Sequence, residues 1–587
     1  MSPSPSRIVF FAGFLLTSSA AAALAQAPPK ILEFPDDPPG IAAQPVPGAR
    51  PAEPIRFGAH TLVQINVDSN GANIPGDAAN EPSIAVDPSN RQRMVVGWRQ
   101  FDTIASNFRQ GGVGYTTDGG QSWTFPGVLT PGLFRSDPVI CADADGNFYY
   151  NSLEQDFTTD VFRSNDGGAV WGPEVFAHGG DKQWMTIDQT GGIGRGNIYS
   201  YWTESVNFTR SINGGDSFAN PTSIPQQPQW GTMDVAPDGT LWIVGINGSE
   251  QYVVSKSVDA KNPLDPSPSF TTSSITLGGA ISYFQPLNPV GLLGQPWIAV
   301  DPSNGPTAGY IYVLGSVNPS GADPLNVNFI RSTNGGSTWS APIKVNDDTG
   351  TSAYQWFGTM SVAPNGRIDV IWNDTRNTGV SNLSQLFYSF STDGGLTWSV
   401  NEQLSPTWNS LVGWPNQQKI GDYCQMVSDN VGANLAWPAT FNGEQDVYFV
   451  RIGEFDCNGN GIGDLQDIAN GAPDSNLNDI PDECEGITSD VAETTAPLGA
   501  LSNRPNPFRK STEIEFRMPA AGAARLQIYN LAGQLVRTLD HADAQAGPNR
   551  TTWDGADEHG QAVESGIYFC QLDANGVRQT QRMLLLR

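Results

Sequence analysis

The sequence predicts an all-β protein of several domains, the largest of which is expected to be a β-propeller of seven blades, with six blades as the alternative. Three observations support this prediction. The chain has 587 residues, more than a single hydrophobic core usually organises. One turn motif recurs five times between residues 116 and 398, and one short apolar strand recurs seven times between residues 81 and 429. Such repetition indicates small sheets arranged in a ring, which buries their faces and leaves few exposed edges.

The first 57 residues are expected to lie outside this ring. Residues 1–27 carry Arg7, a long apolar run and small residues at the end, which is the layout of a cleavable export signal. Residues 28–57 are dense in proline and read as an extended linker. No later stretch is apolar for long enough to form a transmembrane segment. We therefore predict a secreted or extracellular cell-surface protein.

The charge of the chain restricts its partners. It contains 59 Asp and Glu against 31 Lys and Arg, a net charge of −28. This charge repels nucleic acid phosphates and favours solubility and cation binding. Four scattered histidines and five cysteines show no spacing typical of a zinc site. A nucleic-acid partner and zinc catalysis are therefore not expected.

Residues 58–454 contain the repeated strands. Each copy is followed by a second apolar run and usually by a third strand, so each unit predicts a short antiparallel meander. The last unit lacks a fourth strand, whereas an apolar run at residues 61–67 precedes the first unit; we expect this run to close the ring. The seven copies are EPSIAVDP (81), DPVICADADG (137), DKQWMTID (181), GTMDVAPDG (231), QPWIAVDP (295), GTMSVAPNG (358) and DYCQMVSD (422).

The turn motif lies between the outer strands of these units. Its copies are TTDGGQSW (116), SNDGGAVW (164), SINGGDSF (211), STNGGSTW (332) and STDGGLTW (391), with a degenerate copy at Ser257 to Asp259. A catalytic residue is normally needed once, so five copies favour a structural role. The acidic or amide residue should accept backbone N–H bonds in a β-turn, and the glycines should supply positive φ angles. These residues are Asp118, Asp166, Asn213, Asn334 and Asp393.

This motif resembles the Asp-box, or BNR, repeat of sialidase-like propellers, whose pattern is Ser/Thr-x-Asp-x-Gly-x-Ser/Thr-Trp. The resemblance covers the repeated region and implies a sialidase-like propeller fold. It implies an activity less directly, because one fold hosts many functions.

Ligands of propellers usually bind over the central axis, where innermost strands begin and second strands end. Many of the side chains expected there are carboxylates, as a sugar site needs, although such acids also cap strand ends. The innermost strands begin with Glu81, Asp137, Asp181 with Lys182, Gln295 with Trp297, and Asp422 with Tyr423. The second strands end with Arg99, Asp102, Glu154, Glu204, Asp374 and Arg376.

Two functions remain open, so whether the protein is an enzyme is undecided at this stage. The preferred one is a carbohydrate-binding or scaffold propeller, because the Arg-Ile-Pro motif of sialidases is missing and its nearest match is FRSDP at 134–138. The alternative is an exo-acting glycoside hydrolase of sialidase type. The resemblance then implies Glu204 with Tyr201 as the nucleophile pair and Asp137 or Asp102 as the acid. The substrate-binding residues would be Arg99, Arg135, Arg376 and Trp297.

Residues 455–486 contain two twelve-residue loops, DCNGNGIGDLQD and DSNLNDIPDECE, with oxygen-bearing side chains at positions 1, 3, 5, 9 and 12. This spacing suits Ca²⁺ as a structural cofactor, with an unliganded acidic linker as the alternative. The pair resembles dockerin-like and thrombospondin type 3 calcium repeats. Cys457 and Cys484 flank it, and a disulfide between them would stabilise so small a segment. The expected ligands are Asp456, Asn458, Asn460, Ile462, Asp464 and Asp467, then Asp474, Asn476, Asn478, Ile480, Asp482 and Glu485.

After a linker at 487–497, residues 498–587 alternate apolar strands with turn glycines, a pattern typical of a β-sandwich. The region resembles the FlgD-type Ig-like domains at the C-termini of secreted bacterial proteins. That resemblance implies export or surface attachment through the bacterial secretion or envelope machinery. The matching residues are Asn506-Pro507-Phe508, Tyr529-Asn530-Leu531-Ala532-Gly533, Trp553-Asp554-Gly555 and Ser565-Gly566-Ile567-Tyr568.

Overall fold

The structure is a computed structural model that describes residues 37–39, 50–475, 480–485, 499–518, 521–530, 533–545, 547–574 and 577–587. The export signal predicted at 1–27, most of the 28–57 linker, Asn476, Asn478 and the 487–497 linker lie outside these residues. The chain divides into two compact units, Met1–Ile487 and Thr488–Arg587. Strands dominate both. No helix within the described ranges is long and apolar enough to cross a membrane.

The first unit contains 32 strands within its described residues. Up to residue 257 they are β1 (Ile55–Phe57), β2 (His60–Gln64), β3 (Ala78–Val86), β4 (Met94–Phe101), β5 (Gln110–Thr116), β6 (Val128–Leu129), β7 (Ser136–Ala142), β8 (Phe148–Leu153), β9 (Thr159–Ser164), β10 (Val175–Phe176), β11 (Trp184–Ile187), β12 (Ile198–Tyr201), β13 (Phe208–Ser211), β14 (Met233–Val235), β15 (Leu241–Ile246) and β16 (Tyr252–Ser257).

The remaining strands of the first unit are β17 (Thr271–Ser274), β18 (Gly279–Ile281), β19 (Tyr283–Gln285), β20 (Asn288–Leu292), β21 (Trp297–Val300), β22 (Ile311–Pro319), β23 (Asn326–Ser332), β24 (Ile343–Lys344), β25 (Gln355–Val362), β26 (Ile368–Asp374), β27 (Leu383–Ser391), β28 (Glu402–Gln403), β29 (Trp408–Asn409), β30 (Gln425–Ser428), β31 (Gly432–Ala439) and β32 (Asp446–Gly453). Two short helices follow, α1 (Asp464–Asn470) and α2 (Asp482–Glu485).

Within the described part of the first unit, these strands form seven separate antiparallel sheets and one two-stranded hairpin, β19–β20. We number the sheets 1 to 7 by their first strands, which are β3, β7, β11, β14, β21, β25 and β30. Each first strand contacts the first strand of the next sheet, and β30 contacts β3. Sheets arranged radially about an axis in this way form a β-propeller. Sheet 3 has three strands, β11–β12–β13, whereas the meander pattern predicted four.

The predicted ring closure by an N-terminal strand is confirmed. Strand β2 pairs antiparallel with β32, with Leu62 opposite Val450, and β1 pairs with β2. The order of sheet 7 is therefore β30–β31–β32–β2–β1, and it joins the two ends of the first unit. We call the region where β2 meets β32 the closing seam. The Asn66 side chain supports this seam by accepting a 2.9 Å bond from the backbone N–H of Val447.

Within the described chain, each first strand has one edge without a strand partner. Side chains of neighbouring sheets accept hydrogen bonds from backbone N–H groups at several of these edges. Ser83 Oγ in sheet 1 accepts a bond from the N–H of Ile140 in sheet 2 (2.8 Å), and Gln425 Oε1 in sheet 7 accepts one from Ile84 in sheet 1 (3.2 Å). An unpaired strand edge would leave buried backbone groups without partners. The same contact joins Thr232 to Ile298 (3.0 Å) and Ser361 to Ser428 (2.9 Å).

The repeated turns share one hydrogen-bond pattern. In each, the acidic or amide oxygen accepts the backbone N–H of the residue four positions later, at 2.9 to 3.1 Å. The hydroxyl two positions earlier also donates to that oxygen. Gly120 (φ 89°) shows why glycine is needed, because a Cβ there would lie 2.2 Å from the Phe449 ring. Degenerate Asp259 keeps the contact with Ser269, ten residues on (3.0 Å).

The second unit is a β structure of two sheets. Its sheets have the orders β33–β34–β37 and β36–β35–β38–β39, and both contribute to one hydrophobic core through side chains such as Ile514, Phe516, Leu526, Leu572 and Met583. The strands are β33 (Gly499–Arg504), β34 (Thr512–Met518), β35 (Gly522–Asn530), β36 (Leu535–Ala544), β37 (Gly547–Trp553), β38 (Gly566–Ala574) and β39 (Val577–Leu585).

Candidate functional site

Three consecutive sheets present a charged side chain at the same place, just before the regular part of their first strand. These residues are Glu81, Asp137 and Lys182, with φ angles of 52°, 45° and 55°. Residues other than glycine rarely adopt positive φ, at a cost of about 1 kcal/mol or more. In β3 and β7 the strand register also shifts at this place. The backbone therefore bulges at Glu81 and Asp137, and bulges commonly redirect a side chain near a functional site.

These side chains belong to a chain of ion pairs around the axis, which we call the axial ion chain. It runs through Arg99, Glu81, Lys419, Asp422, Lys182 and Asp137, so positive and negative groups alternate. Successive pairs are separated by 3.3, 3.0, 2.6, 2.5 and 3.1 Å. The residues come from sheets 1, 2, 3 and 7, and their formal charges sum to zero.

All six side chains of the axial ion chain are buried, none more than 4% exposed. Burial raises the pKa of Glu81 to about 7, although Arg99 and Lys419 act against it. Burial also opposes ionisation of Asp137, but Lys182 and Lys419 outweigh it and hold the pKa of Asp137 below its ordinary value. Two carboxyl groups with pKa values moved apart form the pattern that general acid and base catalysis uses.

A loop and a hairpin cover this end of the axis. Lys419 belongs to the loop between β29 and β30, and the N–H of Ile420 in the same loop donates to Asn288 Oδ1 at 2.9 Å. Asn288 begins β20 of the inserted hairpin, and the N–H of Leu292 at its end donates to Asp422 Oδ1 at 2.7 Å. The hairpin inserted before sheet 5 thus reaches the entry to sheet 7, above the axial ion chain.

A floor of aromatic rings lies along the first strands, next to the ion chain. The Trp184 ring meets the rings of Trp297 and Tyr423 edge to face, at 5.2 and 5.4 Å between centroids. Beyond the tryptophans lies a cavity of about 610 Å³, which we call the axial cavity and which is lined by the first strands of all seven sheets. Trp297, predicted to contact substrate, stands at this floor with 6% of its surface exposed.

The predicted nucleophile pair is not brought together. Tyr201 ends β12 as a fully buried side chain whose hydroxyl donates to the carbonyl of Val244 at 2.9 Å, and burial raises its pKa. Glu204 is exposed in the loop after β12. The Tyr201 hydroxyl is therefore engaged inside the sheet, whereas the Glu204 side chain faces solvent. Of the two predicted acids, Asp137 is in the axial ion chain, whereas partly buried Asp102 accepts a bond from Gln110 Nε2 at 3.0 Å.

The three predicted substrate-binding arginines also separate. Arg99 reaches Glu81 at the axis. Arg135 instead pairs with three carboxylates beside sheet 2, those of Asp160 (2.8 Å), Glu154 (3.1 Å) and Glu174 (2.6 Å). Arg376 pairs with Asp374 (2.8 Å) and Asp347 (2.5 Å) beside sheet 6. Since each arginine is bound to different acids on a different sheet, they do not form one carboxylate clamp.

Sequence reasoning missed Lys419, which supplies the cation between Glu81 and Asp422. The predicted positions were those where strands begin or end, and Lys419 lies in a loop. The signal that could have found it is its position three residues before Asp422, in the segment that enters the last repeat. Its burial was not visible in the sequence, since burial depends on the hairpin inserted more than 130 residues earlier.

The first predicted calcium loop folds back on itself. Asp456 accepts the backbone N–H groups of Asn460 (3.1 Å) and Gly461 (2.9 Å). Asp467 Oδ2 accepts the side-chain amides of Asn458 (3.1 Å) and Asn460 (2.7 Å). Positions 1, 3, 5 and 12 thus converge, and carboxylate and amide oxygens are the donor types that Ca²⁺ takes in proteins. Among the described residues, no three His, Cys, Asp or Glu side chains already lie close enough to hold an ion.

In the second loop, Asn476, Asn478 and the Glu485 side chain lie outside the described residues. The described part repeats the first loop: the N–H of Ser475 donates to Asp482 Oδ1 at 2.7 Å, and the N–H of Cys457 donates to Asp464 Oδ1 at 2.8 Å. In both loops, the backbone N–H of the residue at position 2 donates to the carboxylate at position 9. A disulfide joins Cys457 to Cys484, with 5.9 Å between their Cα atoms.

Comparison with known proteins identifies one domain. The FlgD Ig-like domain family matches residues 502–576, within the second unit. No curated protein matches the sequence. The FlgD Ig-like domain is thus present at the C-terminus, in agreement with the resemblance inferred from the sequence.

Three solved structures resemble the chain in shape. A Dyadobacter fermentans protein of unknown function is 14% identical, covers 69% of this chain and all of its own, and has a TM-score of 0.38. PorZ of Porphyromonas gingivalis, described as an essential surface component of the type-IX secretion system, is 15% identical with coverages of 86% and 59% and a TM-score of 0.35. Trypanosoma rangeli sialidase is 10% identical, with coverages of 88% and 86% and a TM-score of 0.34. The propeller assignment therefore rests on the strand pairing described above.

Proposed function

We propose that the protein is a secreted or cell-surface β-propeller of seven blades that binds carbohydrate or a surface polymer, or serves as a scaffold, without hydrolysing its ligand. The observation that supports this most directly is the axial ion chain. Each charged group in it is compensated by another member, and all six are buried beneath a loop and a hairpin. A hydrolase needs its acid and base presented to substrate, in an open pocket.

The sialidase-type assignment of roles has further difficulties. It requires arginines that converge on one carboxylate and two catalytic carboxyl groups at a suitable separation. Arg135 and Arg376 are instead bound to acids of sheets 2 and 6, and the Tyr201 hydroxyl donates to a buried carbonyl. Of the predicted set, Arg99, Asp137 and Trp297 remain near the axis.

An exo-acting glycosidase remains the second candidate, favoured by one observation. The pKa of Glu81 is raised to about 7 while that of Asp137 is held low, so the first would act as acid and the second as the ionised partner. For substrate to enter, the loop that carries Lys419 would have to move away from Asn288. In this second candidate the catalytic pair differs from the Glu204 and Tyr201 pair expected from the sequence.

The carbohydrate ligand would occupy the axial cavity. Two tryptophan rings at the floor suit stacking on sugar faces, and hydroxyl and amide groups of the first strands offer hydrogen bonds. The volume of about 610 Å³ lies in the ordinary range for small-molecule sites. The loops at 456–467 and 474–485 would bind Ca²⁺ as a structural cofactor. The C-terminal unit would serve export or surface attachment through the bacterial envelope machinery.

Two measurements on the full chain test this function. Hydrolysis of a panel of chromogenic glycosides, sialosides included, is expected to show no turnover, and a glycan array with isothermal titration calorimetry is expected to show binding. Turnover that is lost in Glu81→Gln but kept in Glu204→Gln would establish the second candidate. Turnover lost in Glu204→Gln but kept in Glu81→Gln would restore the sialidase-type assignment. Absence of both turnover and glycan binding would leave only the scaffold role.

A further inference from the structure

The axial cavity is uncharged except at one place. Among its lining residues, all within the described chain, Asp234 is the one charged side chain. It occupies the second-last position of β14, two residues before the turn that ends the strand. The equivalent positions of the other six first strands are neutral: Ala85, Cys141, Thr186, Ala299, Ser361 and Val427. An acid at one of seven equivalent positions breaks the pseudo-symmetry of the ring, and fold repetition does not require it.

Asp234 has hydrogen-bonding capacity left for a ligand. Its Oδ2 accepts the N–H of Val300 in the next sheet (2.7 Å), and its Oδ1 accepts the N–H of Val235 (2.8 Å). A carboxylate offers about four acceptor positions, so roughly two remain. The side chain lines the cavity and is partly exposed to it. No Lys, Arg or His pairs with Asp234 anywhere in the residues that the structure describes.

The tryptophan floor lies beside this carboxylate. Trp184 and Trp297 occupy equivalent positions in sheets 3 and 5, on either side of Asp234 in sheet 4. Each tryptophan lies two residues before the position in its own strand that is equivalent to Asp234. Two residues span about 6.6 Å along a strand. Their rings meet edge to face at 85° and both line the cavity, so an aromatic surface and a carboxylate border one space. Aromatic faces and a carboxylate both attract ammonium groups.

We propose that the axial cavity binds small ligands that carry an ammonium group, such as an amino sugar, with Asp234 as the counter-ion and Trp184 and Trp297 against the rest of the ligand. This inference rests on the proposed function, because it takes the axial cavity as the ligand site and specifies the ligand class. The net charge of −28 supports it by raising the local concentration of cations.

The pH dependence of binding follows from the groups in the cavity. Burial raises the pKa of Asp234 to about 6, so the counter-ion is lost as the pH falls below that value. Cys141 is the other titratable side chain among the described lining residues. Burial raises its pKa to about 12, and its Sγ donates to the carbonyl of Met185 at 3.2 Å. Cys141 therefore stays neutral, so Asp234 is the one lining group whose protonation should weaken ammonium binding between pH 7 and pH 5.

Calorimetry with three probes tests this proposal on the full chain: glucosamine, its neutral analogue N-acetylglucosamine, and n-butylammonium. We expect glucosamine to bind at least about tenfold more tightly than N-acetylglucosamine, which corresponds to one counter-ion contact. Asp234→Asn keeps an oxygen for the N–H of Val300 and should abolish this preference. Asp216→Asn, an exposed position with the same charge change, should leave it unchanged. Binding of n-butylammonium with similar affinity would show that the ammonium group alone is recognised.

The outcomes separate this proposal from the function on which it rests. Equal affinity for glucosamine and N-acetylglucosamine in the unaltered protein would overturn the ammonium preference while leaving carbohydrate binding intact. A preference that persists in Asp234→Asn would overturn the role of Asp234. If that variant fails to fold, the unaltered protein still decides, because a preference that does not fall from pH 7 to pH 5 contradicts the assignment. Binding of none of the three probes overturns the proposal, whereas the glycan array tests the wider function separately.

Discussion

Replacing Asp77 by asparagine should stabilise the first unit at pH 8, and by a smaller amount at pH 5. Asp77 and Asp446 are fully buried at the closing seam, where Asn66 Nδ2 donates to both, at 3.4 and 2.6 Å. No Lys or Arg forms an ion pair with either in the described chain, and Asp77 Oδ1 is buried without a hydrogen bond. Burial, followed by the charge of Asp446, raises the pKa of Asp77.

The magnitude follows from proton linkage. Burial raises the pKa of Asp446 from 3.8 to about 7. Between these values the folded chain keeps a proton that the unfolded chain releases, so the free energy of unfolding falls as the pH rises, by about 4 kcal/mol at most. This stability is complete below pH 4 and lost as the pH passes 7. Asparagine at position 77 removes one charge of the pair, although the side chain stays buried. We therefore expect the free energy of unfolding to rise by about 1 to 2 kcal/mol at pH 8.

Differential scanning calorimetry at the two pH values measures this effect. For a unit of this size, the expected gain is a rise in Tm of about 1 to 3 °C at pH 8 and a smaller rise at pH 5, where only part of the range between the two pKa values has been crossed. Asp145→Asn, an exposed acid of sheet 2, provides the charge-matched control and should change Tm at neither pH. A drop in Tm for Asp77→Asn at both pH values would refute the reasoning, because it would mean that Asp77 is needed as an ionised acceptor.

Three further predictions concern other parts of the chain. Lys182→Met should destabilise the first unit by about 3 to 5 kcal/mol, because it leaves two buried carboxylates without their shared cation; a urea midpoint within error of the unaltered protein would contradict this. Asp393→Ala should cost about 1 to 2 kcal/mol in the same assay, whereas Asp393→Asn should be nearly neutral, as Asn334 fills the same role in its own turn. Removing Ca²⁺ with EGTA should speed proteolysis between residues 455 and 485. The Asp456→Ala variant should be cleaved equally fast with or without Ca²⁺.

The ring of sheets could be predicted because each sheet repeats the same sequence pattern. Seven copies of one strand located the first strands, and the unpaired run at residues 61–67 located the strand that closes the ring. The turn motif could also be predicted, because its carboxylate or amide oxygen accepts hydrogen bonds from residues only two to four positions away. These features depend on local contacts, which a sequence displays directly. Contacts between distant segments are not displayed in this way.

The site was predicted only where it depended on strand position. Glu81, Asp137, Asp422 and Arg99 were expected near the axis because strand starts and ends converge there, and the structure places them together. The sequence grouped Arg135 and Arg376 with Arg99, but each strand end also faces its own loops, where acids such as Glu174 and Asp347 pair with these two arginines. A spacing along the chain does not tell which partner a long cationic side chain reaches.

The axial ion chain therefore gives weak evidence for either catalysis or stability. Desolvation of six buried charges costs much of what their pairing gains, and well-packed apolar residues often replace such groups without loss. The pattern of partners is more informative: Lys419 and Asp422 come from the last sheet, Glu81 and Arg99 from the first, and Lys182 from the third. The contact between the last sheet and the first brings Lys419 next to Glu81, and the contact with the third brings Lys182 next to Asp422. We infer that the ion chain helps to specify how the ring closes, and the proposed ligand site is the axial cavity on the other side of the aromatic floor.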